Sequence, residues 1–113
     1  MTRIPLPGAS VRGSRTGKPI MALLDLLGRR WALRVLWELR AGPRSSRALR
    51  GACDGVSPTV LSDRTKELRG AGLVELRPPA GYALTPLGRA LVDRFLPLVA
   101  WSERWARALR TRR

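Results

Sequence analysis

The sequence predicts a mainly helical domain that contains one small β-hairpin. Apolar residues recur at steps of three and four over most of residues 19–106, whereas residues 73–85 alternate with period two. Ser-Pro and Thr-Pro pairs stand where two of the helices would begin. The chain has 113 residues, 44% of them hydrophobic, which suits one domain with a single modest core.

The first 18 residues are rich in proline, glycine and arginine and carry few apolar side chains. Such a composition buries too little apolar surface to offset the entropy lost on ordering. Residues 1–18 are therefore predicted to form a flexible basic arm, and residues 19–106 the folded domain.

Two short helices are predicted next, each with one apolar face. The first face is formed by Ile20, Leu23, Leu24 and Leu27 and stops at Gly28. The second is formed by Ala32, Val35, Leu36 and Leu39, flanked by Trp31 and Trp37, and stops at Gly42-Pro43.

A third and a fourth helix follow, each with a capping serine. Ser45 or Ser46 caps a short helix that turns Leu49 and Ala52 inward. The fourth helix, over residues 57–71, has Ser57 as its N-cap, Pro58 at the first helical position and Gly72 just past its end. Its buried side is formed by Leu61, Thr65 and Leu68.

The hairpin over residues 73–85 places Val74 and Leu76 on one face, and Tyr82 and Leu84 continue the alternation after a Pro-Pro-Ala-Gly tip. Thr85-Pro86 then opens a long helix, predicted over residues 86–106. Its apolar positions are Leu87, Leu91, Phe95, Leu98, Trp101 and Trp105. Pro97 is expected to kink or divide this helix. Residues 107–113 are predicted to be a frayed basic tail.

A capped second helix followed directly by a two-stranded hairpin is the winged helix-turn-helix layout. The predicted fold class is therefore a winged helix-turn-helix with a long C-terminal helix. In this layout the helix over residues 57–71 is the one shaped to lie in the major groove of DNA.

The charge of the chain points to an anionic partner. Lys and Arg number 22 against 8 Asp and Glu, a formal net charge of +14. Nucleic acid, an acidic membrane surface or an acidic protein would each fit this surplus. No apolar run approaches the roughly 20 residues of a membrane-spanning helix, and the first residues lack the apolar core of a secretory leader. A cytoplasmic, nucleoid-associated protein is expected.

The sequence contains few residues of the types that act in catalysis. The chain has no histidine, a single cysteine, Cys53, and acidic residues too dispersed to form a carboxylate pair. The sequence therefore predicts no enzyme activity, no metal site and no cofactor.

The outward face of the 57–71 helix carries side chains suited to base edges. With Leu61 at the centre of the buried side, the opposite side carries Thr59, Ser62, Asp63 and Lys66. Hydroxyls and a carboxylate can reach bases, while the N-terminal amides can approach a phosphate. A merely solvated helix face is the alternative interpretation.

Arginines flank this helix in the sequence. Arg40, Arg44, Arg47 and Arg50 occur with no acidic residue among them, and Arg77 projects from the hairpin. They are predicted to contact phosphates, which gives affinity but little sequence choice. A solvated basic surface would show the same composition.

At this level of detail the chain resembles the HxlR-type winged helix regulators, relatives of the MarR group. The resemblance is carried by Gly28-Arg29-Arg30-Trp31, by Ser57-Pro58 with Leu61-Ser62, by Ala71-Gly72-Leu73-Val74 and by Tyr82-Ala83-Leu84-Thr85. It implies a dimeric regulator whose 57–71 helix reads the major groove. Ser57, Pro58, Thr59, Ser62 and Arg64 match the family's recognition-helix positions, and Arg64 is assigned to a phosphate.

The resemblance also implies dimer contacts from the first and last helices, here assigned to Leu23, Leu27, Phe95, Leu98, Trp101 and Trp105. The chain departs from the family pattern in several places. Lys18-Pro19 stands where many members have a sensor Cys-Pro, which argues against thiol sensing by that route. Cys53 is interpreted as a small core side chain rather than a sensor. The wing is short, and Pro97 interrupts the dimer helix.

The predicted function is a sequence-specific DNA-binding regulator, a repressor that acts as a homodimer on a pseudo-palindromic operator. A non-specific nucleic-acid-packaging or RNA-binding module would share the charge, and an interaction adaptor that reads no DNA would share the fold. The arginine-flanked tryptophans of the last helix also admit docking to an acidic membrane surface. No polar constellation marks an effector pocket.

Overall fold

The structure is a computed structural model that describes residues 4–8 and 17–111. Within these residues, helices and strands follow one another in the order α1 (Pro19–Leu27), α2 (Ala32–Glu38), α3 (Ser46–Ala52), α4 (Pro58–Gly70), β1 (Val74–Arg77), β2 (Gly81–Leu84), α5 (Pro86–Asp93) and α6 (Leu96–Thr111). The predicted winged helix-turn-helix fold is confirmed: α3 and α4 form the helix-turn-helix and the β1–β2 hairpin forms the wing.

Helix α2 lies at the centre of the hydrophobic core. Ala32, Val35, Leu36 and Leu39 are fully buried, so the predicted stripe of this helix is confirmed. Val35, Leu36 and Leu39 pack in one cluster with buried side chains of α1, α3, α4, α5 and both strands. This arrangement gives α4 a fixed inner face and leaves its other side exposed.

The residues of α1 that are buried lie outside the apolar face that its periodicity predicted. Ala22 and Leu26 are buried, whereas Ile20 and Leu24 are each 56% exposed. The helix is apolar on nearly all sides, so the spacing of its leucines does not select an inward face. Within the predicted stripe, Ile20 and Leu24 are exposed, whereas Leu23 and Leu27 are half-buried.

Three helices begin with the side-chain caps that the sequence predicted. The hydroxyl oxygens of Ser45, Ser57 and Thr85 accept hydrogen bonds from the backbone N–H three residues further on, at 3.0, 3.1 and 3.0 Å. Each bond satisfies an N–H that has no partner within the helix. The N-terminus of α4 is thereby fixed at Ser57.

The predicted alternation of buried and exposed side chains holds only in the part of the hairpin nearest the core. Val74 pairs with Leu84, and both are buried, but Leu76 is 45% exposed and Ala83 is buried beside Leu84. The outer half of the hairpin extends beyond the core, so its side chains have no apolar layer to face. Backbone hydrogen bonds between Arg44 and Tyr82, at 2.9 and 2.8 Å, join the wing to the segment before α3.

The predicted long C-terminal helix is divided in two. Pro97 cannot continue a helix from α5, because its ring would clash with the carbonyl of residue 93, the last residue of α5. It is accommodated as the second residue of α6, where an N–H is not needed. Helix α6 continues to Thr111, so the prediction of a frayed tail is wrong for residues 107–111.

Part of the predicted flexible arm contacts the domain. Pro5 is buried, and the Gly8 N–H donates to the Gly17 carbonyl at 2.9 Å, so free flexibility does not hold for residues 4–8. The rest of the predicted arm, residues 1–3 and 9–16, and residues 112–113 of the predicted tail lie outside the described residues.

Candidate nucleic-acid interface

Helix α4 presents one continuous polar face to solvent. All the side chains predicted to read bases are exposed on this helix or at its N-cap: Ser57, Pro58, Thr59, Ser62, Asp63 and Lys66. Leu61 and Leu68 are buried on the opposite side. Among these residues, Ser57 also caps the helix, because its hydroxyl oxygen accepts a hydrogen bond from the Val60 N–H.

An internal charge network holds α4 against the segment between α1 and α2. Glu67 is only 7% exposed, and its two carboxylate oxygens lie 2.9 Å from Nη1 of Arg29 and 2.9 Å from Nη1 of Arg64. Arg64 Nε also donates to the Arg30 carbonyl at 2.7 Å. These contacts set the position of the exposed face relative to α1.

Sequence reasoning missed Glu67. Its spacing of three residues from Arg64 on one helix was a usable signal for an ion pair. Its contact with Arg29 joins residues 38 positions apart, so periodicity alone could not indicate it. The Arg64 guanidinium is bound by Glu67 and the Arg30 carbonyl, so a phosphate contact of Arg64 stays a prediction that competes with these internal partners.

Arg44 and Arg40 are also partly engaged inside the fold. Arg44 Nε donates to the Glu38 carbonyl at 2.9 Å, and its Nη2 lies 3.9 Å from the Glu38 carboxylate. The Arg40 guanidinium stacks 3.9 Å from the centroid of the Trp37 ring, and its Nη1 donates to the Trp37 carbonyl at 2.9 Å. Both arginines remain near the interface, and each guanidinium keeps N–H donors that these contacts do not use.

Arg47 and Arg50 differ from the other arginines of this cluster. Both are exposed on α3, and in the described part of the chain neither makes a hydrogen bond or an ion pair. Of the arginines predicted to contact phosphates, these two have the fewest internal contacts to lose.

The wing contributes Arg77 to the interface, and this arginine is paired with an acidic residue but is partly exposed. Arg77 Nη2 lies 2.6 Å from the Glu75 carboxylate on the same strand, with the arginine side chain 52% exposed. The tip, residues 78–80, is exposed and contains no charged side chain. An exposed pair of this kind contributes little to stability, so Arg77 can exchange its partner at small cost.

In the described residues, the side chains that could bind a metal ion are those of Cys53, Asp and Glu. Among residues 4–8 and 17–111, no cluster of three or more Cys, Asp or Glu side chains could hold a metal ion. Cys53 is fully buried, as expected of a core side chain, and burial, with a smaller effect of Glu38, raises the pKa of its thiol. No helix of the described residues has both the length and the apolar character that a bilayer crossing requires.

The predicted dimer residues lie on two apolar surfaces. On α1, Leu23 and Leu27 are half-buried, and Phe95 is half-buried before α6. On α6, Leu98, Trp101 and Trp105 are each more than half exposed. The rings of Trp101 and Trp105 stack with centroids 5.9 Å apart. No side chain of α6 is buried within this chain.

The chain is similar in sequence to known helix-turn-helix proteins. The model of the HxlR-like helix-turn-helix family matches residues 26–110. Curated relatives include the HTH-type transcriptional regulator sll1512 of Synechocystis, 34% identical over 65% of this chain and 58% of its own length. The HTH-type transcriptional regulator YvaP of Bacillus subtilis is 30% identical over 73% of this chain and 82% of its own length.

Solved structures of regulators share the fold. A possible HxlR family transcriptional factor from Thermoplasma volcanium superposes with a TM-score of 0.70 at 31% identity, covering 80% of this chain and 86% of its own. Quinone-bound YodB from B. subtilis gives 0.70 at 29% identity, covering 75% and 96%. A MarR family regulator from Enterococcus faecalis gives 0.72 at 30% identity, covering 90% and 98%.

Proposed function

The chain belongs to the HxlR-like helix-turn-helix family, and we propose that it is a sequence-specific DNA-binding repressor that acts as a homodimer. The family consists of transcriptional regulators rather than enzymes. In this proposal α4 lies in the major groove, with Thr59, Ser62 and Lys66 toward base edges. The observation that carries it is the exposure of this whole face beside a capped helix N-terminus.

The phosphate contacts of the proposed complex come mainly from α3. Arg47 and Arg50 are exposed and are not held by internal partners in the described chain. Arg77 and the guanidinium groups of Arg40 and Arg44 can add contacts at the edges. Such contacts position the protein on the duplex and provide affinity that is independent of sequence.

The proposal of a homodimer is supported by α6. This helix of 16 residues buries none of its side chains in the chain, and its large apolar residues Leu98, Trp101 and Trp105 are exposed. A helix with such a face is stable when a second apolar surface covers it. Pairing with α6 of a second copy, together with Leu23 and Leu27 of α1, would bury these side chains.

A two-fold dimer places two copies of α4 on one side of the duplex. The operator is then pseudo-palindromic, with half-sites about one helical turn or a multiple of it apart. Repression follows if the operator overlaps a promoter, because the bound dimer excludes polymerase. The protein would act in the cytoplasm, at the nucleoid.

Competition binding tests the proposal directly. The purified chain is bound to the promoter fragment next to its own coding region and challenged with random duplex. Specific recognition requires a preference of at least about a thousandfold. Ser62→Ala and Lys66→Ala should change the preferred sequence, while Ser102→Ala, the same kind of change on α6, should not.

Each alternative has its own signature in this experiment. Equal affinity for promoter fragment and random duplex would favour a packaging module. Failure to bind genomic DNA at low salt would favour an interaction adaptor that keeps the fold.

A further inference from the structure

We propose that Arg30, in the turn between α1 and α2, is a further contact to the DNA backbone and binds a phosphate at the edge of the groove that α4 occupies. The ligand is a phosphodiester group, so the contact adds affinity without choosing a sequence. This inference rests on the DNA binding proposed above and adds a contact outside α3 and the wing.

The turn between α1 and α2 is bound directly to α4. The Arg30 carbonyl accepts a hydrogen bond from Arg64 Nε at 2.7 Å. Next to it, Arg29 Nη1 lies 2.9 Å from Glu67 Oε2. Glu67 follows Asp63 by four residues, so it lies on the same side of α4, one helical turn further on. The turn therefore borders the exposed face of α4 on the side of Asp63.

The two arginine side chains of this turn differ in what they contact. Arg29 is mostly buried and paired with Glu67, whereas Arg30 is exposed and makes no hydrogen bond or ion pair in the described part of the chain. A guanidinium has five N–H donors in a planar fork that matches two phosphate oxygens. Arg30 shares the property that distinguishes Arg47 and Arg50, because it loses no internal polar contact when it binds a phosphate.

The ring of Trp31 supports the Arg30 guanidinium. The guanidinium carbon lies 5.8 Å from the ring centroid, and the ring packs against the hydrophobic core. Trp31 has a φ of 75°, in the left-handed region that bulky residues rarely adopt, and such a conformation persists only where the surrounding structure holds it. A guanidinium beside a fixed ring loses less conformational freedom on binding than one that extends freely into solvent.

The place of the turn relative to α4 determines which phosphate it meets. A helix in the major groove lies between the two phosphate strands that form the groove walls. Since the turn borders one edge of the exposed face of α4, Arg30 meets the strand at that edge. Together with Arg47 and Arg50 of α3, it holds the backbone from two separate elements, which fixes the angle of α4 in the groove.

Salt titration of DNA binding by the full chain tests this contact. Fluorescence anisotropy with the promoter fragment and with a random duplex gives the slope of log affinity against log salt. Arg30→Gln should reduce the slope by about 0.9 on both duplexes, because a phosphate contact is independent of sequence. Arg30→Lys should keep the slope, since lysine carries the same charge. Arg104→Gln, which removes the same charge from an exposed position on α6, should leave the slope unchanged.

Two further measurements separate a DNA contact from a structural role. Ethylation of single phosphates in the promoter fragment should identify a phosphate whose modification weakens the wild-type chain and Arg47→Gln but no longer weakens Arg30→Gln. The melting temperature of Arg30→Gln should lie within about 4 °C of the wild-type value, because the side chain is exposed.

An unchanged slope for Arg30→Gln, or an equal fall with Arg104→Gln, would overturn this contact and leave the proposed function intact. A slope that falls as much with Arg30→Lys as with Arg30→Gln would show that the charge of residue 30 is not what binds. A larger loss of melting temperature, or a weaker dimer in sedimentation equilibrium, with no missing phosphate would assign Arg30 to the fold or to the subunit contact. A wild-type chain that binds neither duplex at low salt contradicts the function proposed above, and this contact with it.

Discussion

Glu67 and Arg29 form an ion pair of 2.9 Å beneath the exposed face of α4, between the Glu67 Oε2 and the Arg29 Nη1. The Glu67 carboxylate is shared with Arg64, whose Nε also bonds to the Arg30 carbonyl. These ion pairs therefore help to position helix α4, and the side chains of Arg29 and Arg64 are mostly buried there. The orientation of the proposed DNA-reading face depends on this pair.

Replacing Glu67 tests that dependence. Glu67→Gln removes the charge that both arginines share and leaves them uncompensated in a buried place, so the free energy of unfolding should fall by about 3 kcal/mol. Chemical denaturation monitored by tryptophan fluorescence measures it. Glu75→Gln, the same change in an exposed pair, should cost less than about 1 kcal/mol. Equal costs for the two variants would show that the network contributes no more than a surface ion pair.

Gly88 allows α5 to pack directly on the backbone before β1. It is buried, and a Cβ at this position would overlap with the carbonyl oxygen of Leu73. Gly88→Ala should therefore lower the free energy of unfolding by at least about 2 kcal/mol, since backbone must move. Gly51→Ala on α3 is the matched control, because nothing lies within 4 Å of its Cβ. That variant should be stabilised by about 0.5–1 kcal/mol, and thermal unfolding of both variants compares them.

The salt dependence of DNA binding should separate the two kinds of arginine. Arg47→Gln and Arg50→Gln each remove an exposed charge with no internal partner in the described chain, so each should reduce the slope of log affinity against log salt by about 0.9. Arg64→Gln should leave the slope unchanged and lower the melting temperature instead. Fluorescence anisotropy at several salt concentrations gives the slopes. A slope that responds to Arg64→Gln as it does to Arg47→Gln would support Arg64 as a phosphate contact.

The tryptophan pair of α6 should dominate self-association. Large aromatic residues at the centre of an interface are worth about 2 kcal/mol or more, so Trp101→Ala or Trp105→Ala should weaken the dimer by about thirtyfold. Arg104→Ala, between them in sequence, should have little effect. Sedimentation equilibrium gives the dissociation constants. A wild-type chain that stays monomeric at tens of micromolar would contradict the proposed dimer.

Cys53 should react only when the fold opens. The side chain is fully buried, and its raised pKa keeps the thiol protonated at neutral pH. Alkylation by iodoacetamide at pH 8 should therefore be at least about a thousandfold slower in the folded chain than in urea. The reason is that the thiol reacts only in unfolded molecules, which are a very small fraction of a stable domain. Labelling followed by mass spectrometry measures both rates. Comparable rates would mean that the thiol is accessible in the native state.

Local features of the sequence predicted the helices and their limits well. Ser45, Ser57 and Thr85 cap helices in the structure because a cap depends on residues three positions apart. The stripe of α2 was predictable because polar residues separate its apolar ones. In helix α1 the apolar spacing did not indicate which residues are buried, because Ala22 and Leu26 face the core.

The internal partners of the arginines could not be predicted from the sequence. Arg44, Arg47, Arg50 and Arg64 are similar in sequence terms, since all lie on or beside the helix-turn-helix in a strongly basic chain. Only the structure shows that Arg64 is held by the Arg30 carbonyl as well as by Glu67 of its own helix, and Arg44 by Glu38 of α2, whereas Arg47 and Arg50 extend into solvent.

The amino-acid order alone determined the periodic elements, the caps and the polar composition of α4, because each of these depends on neighbours within about one helical turn. The tertiary structure decided which charges remain available to a partner. A guanidinium takes the partner that packing brings within about 3 Å, and for Arg29 that partner is a carboxylate 38 residues away along the chain.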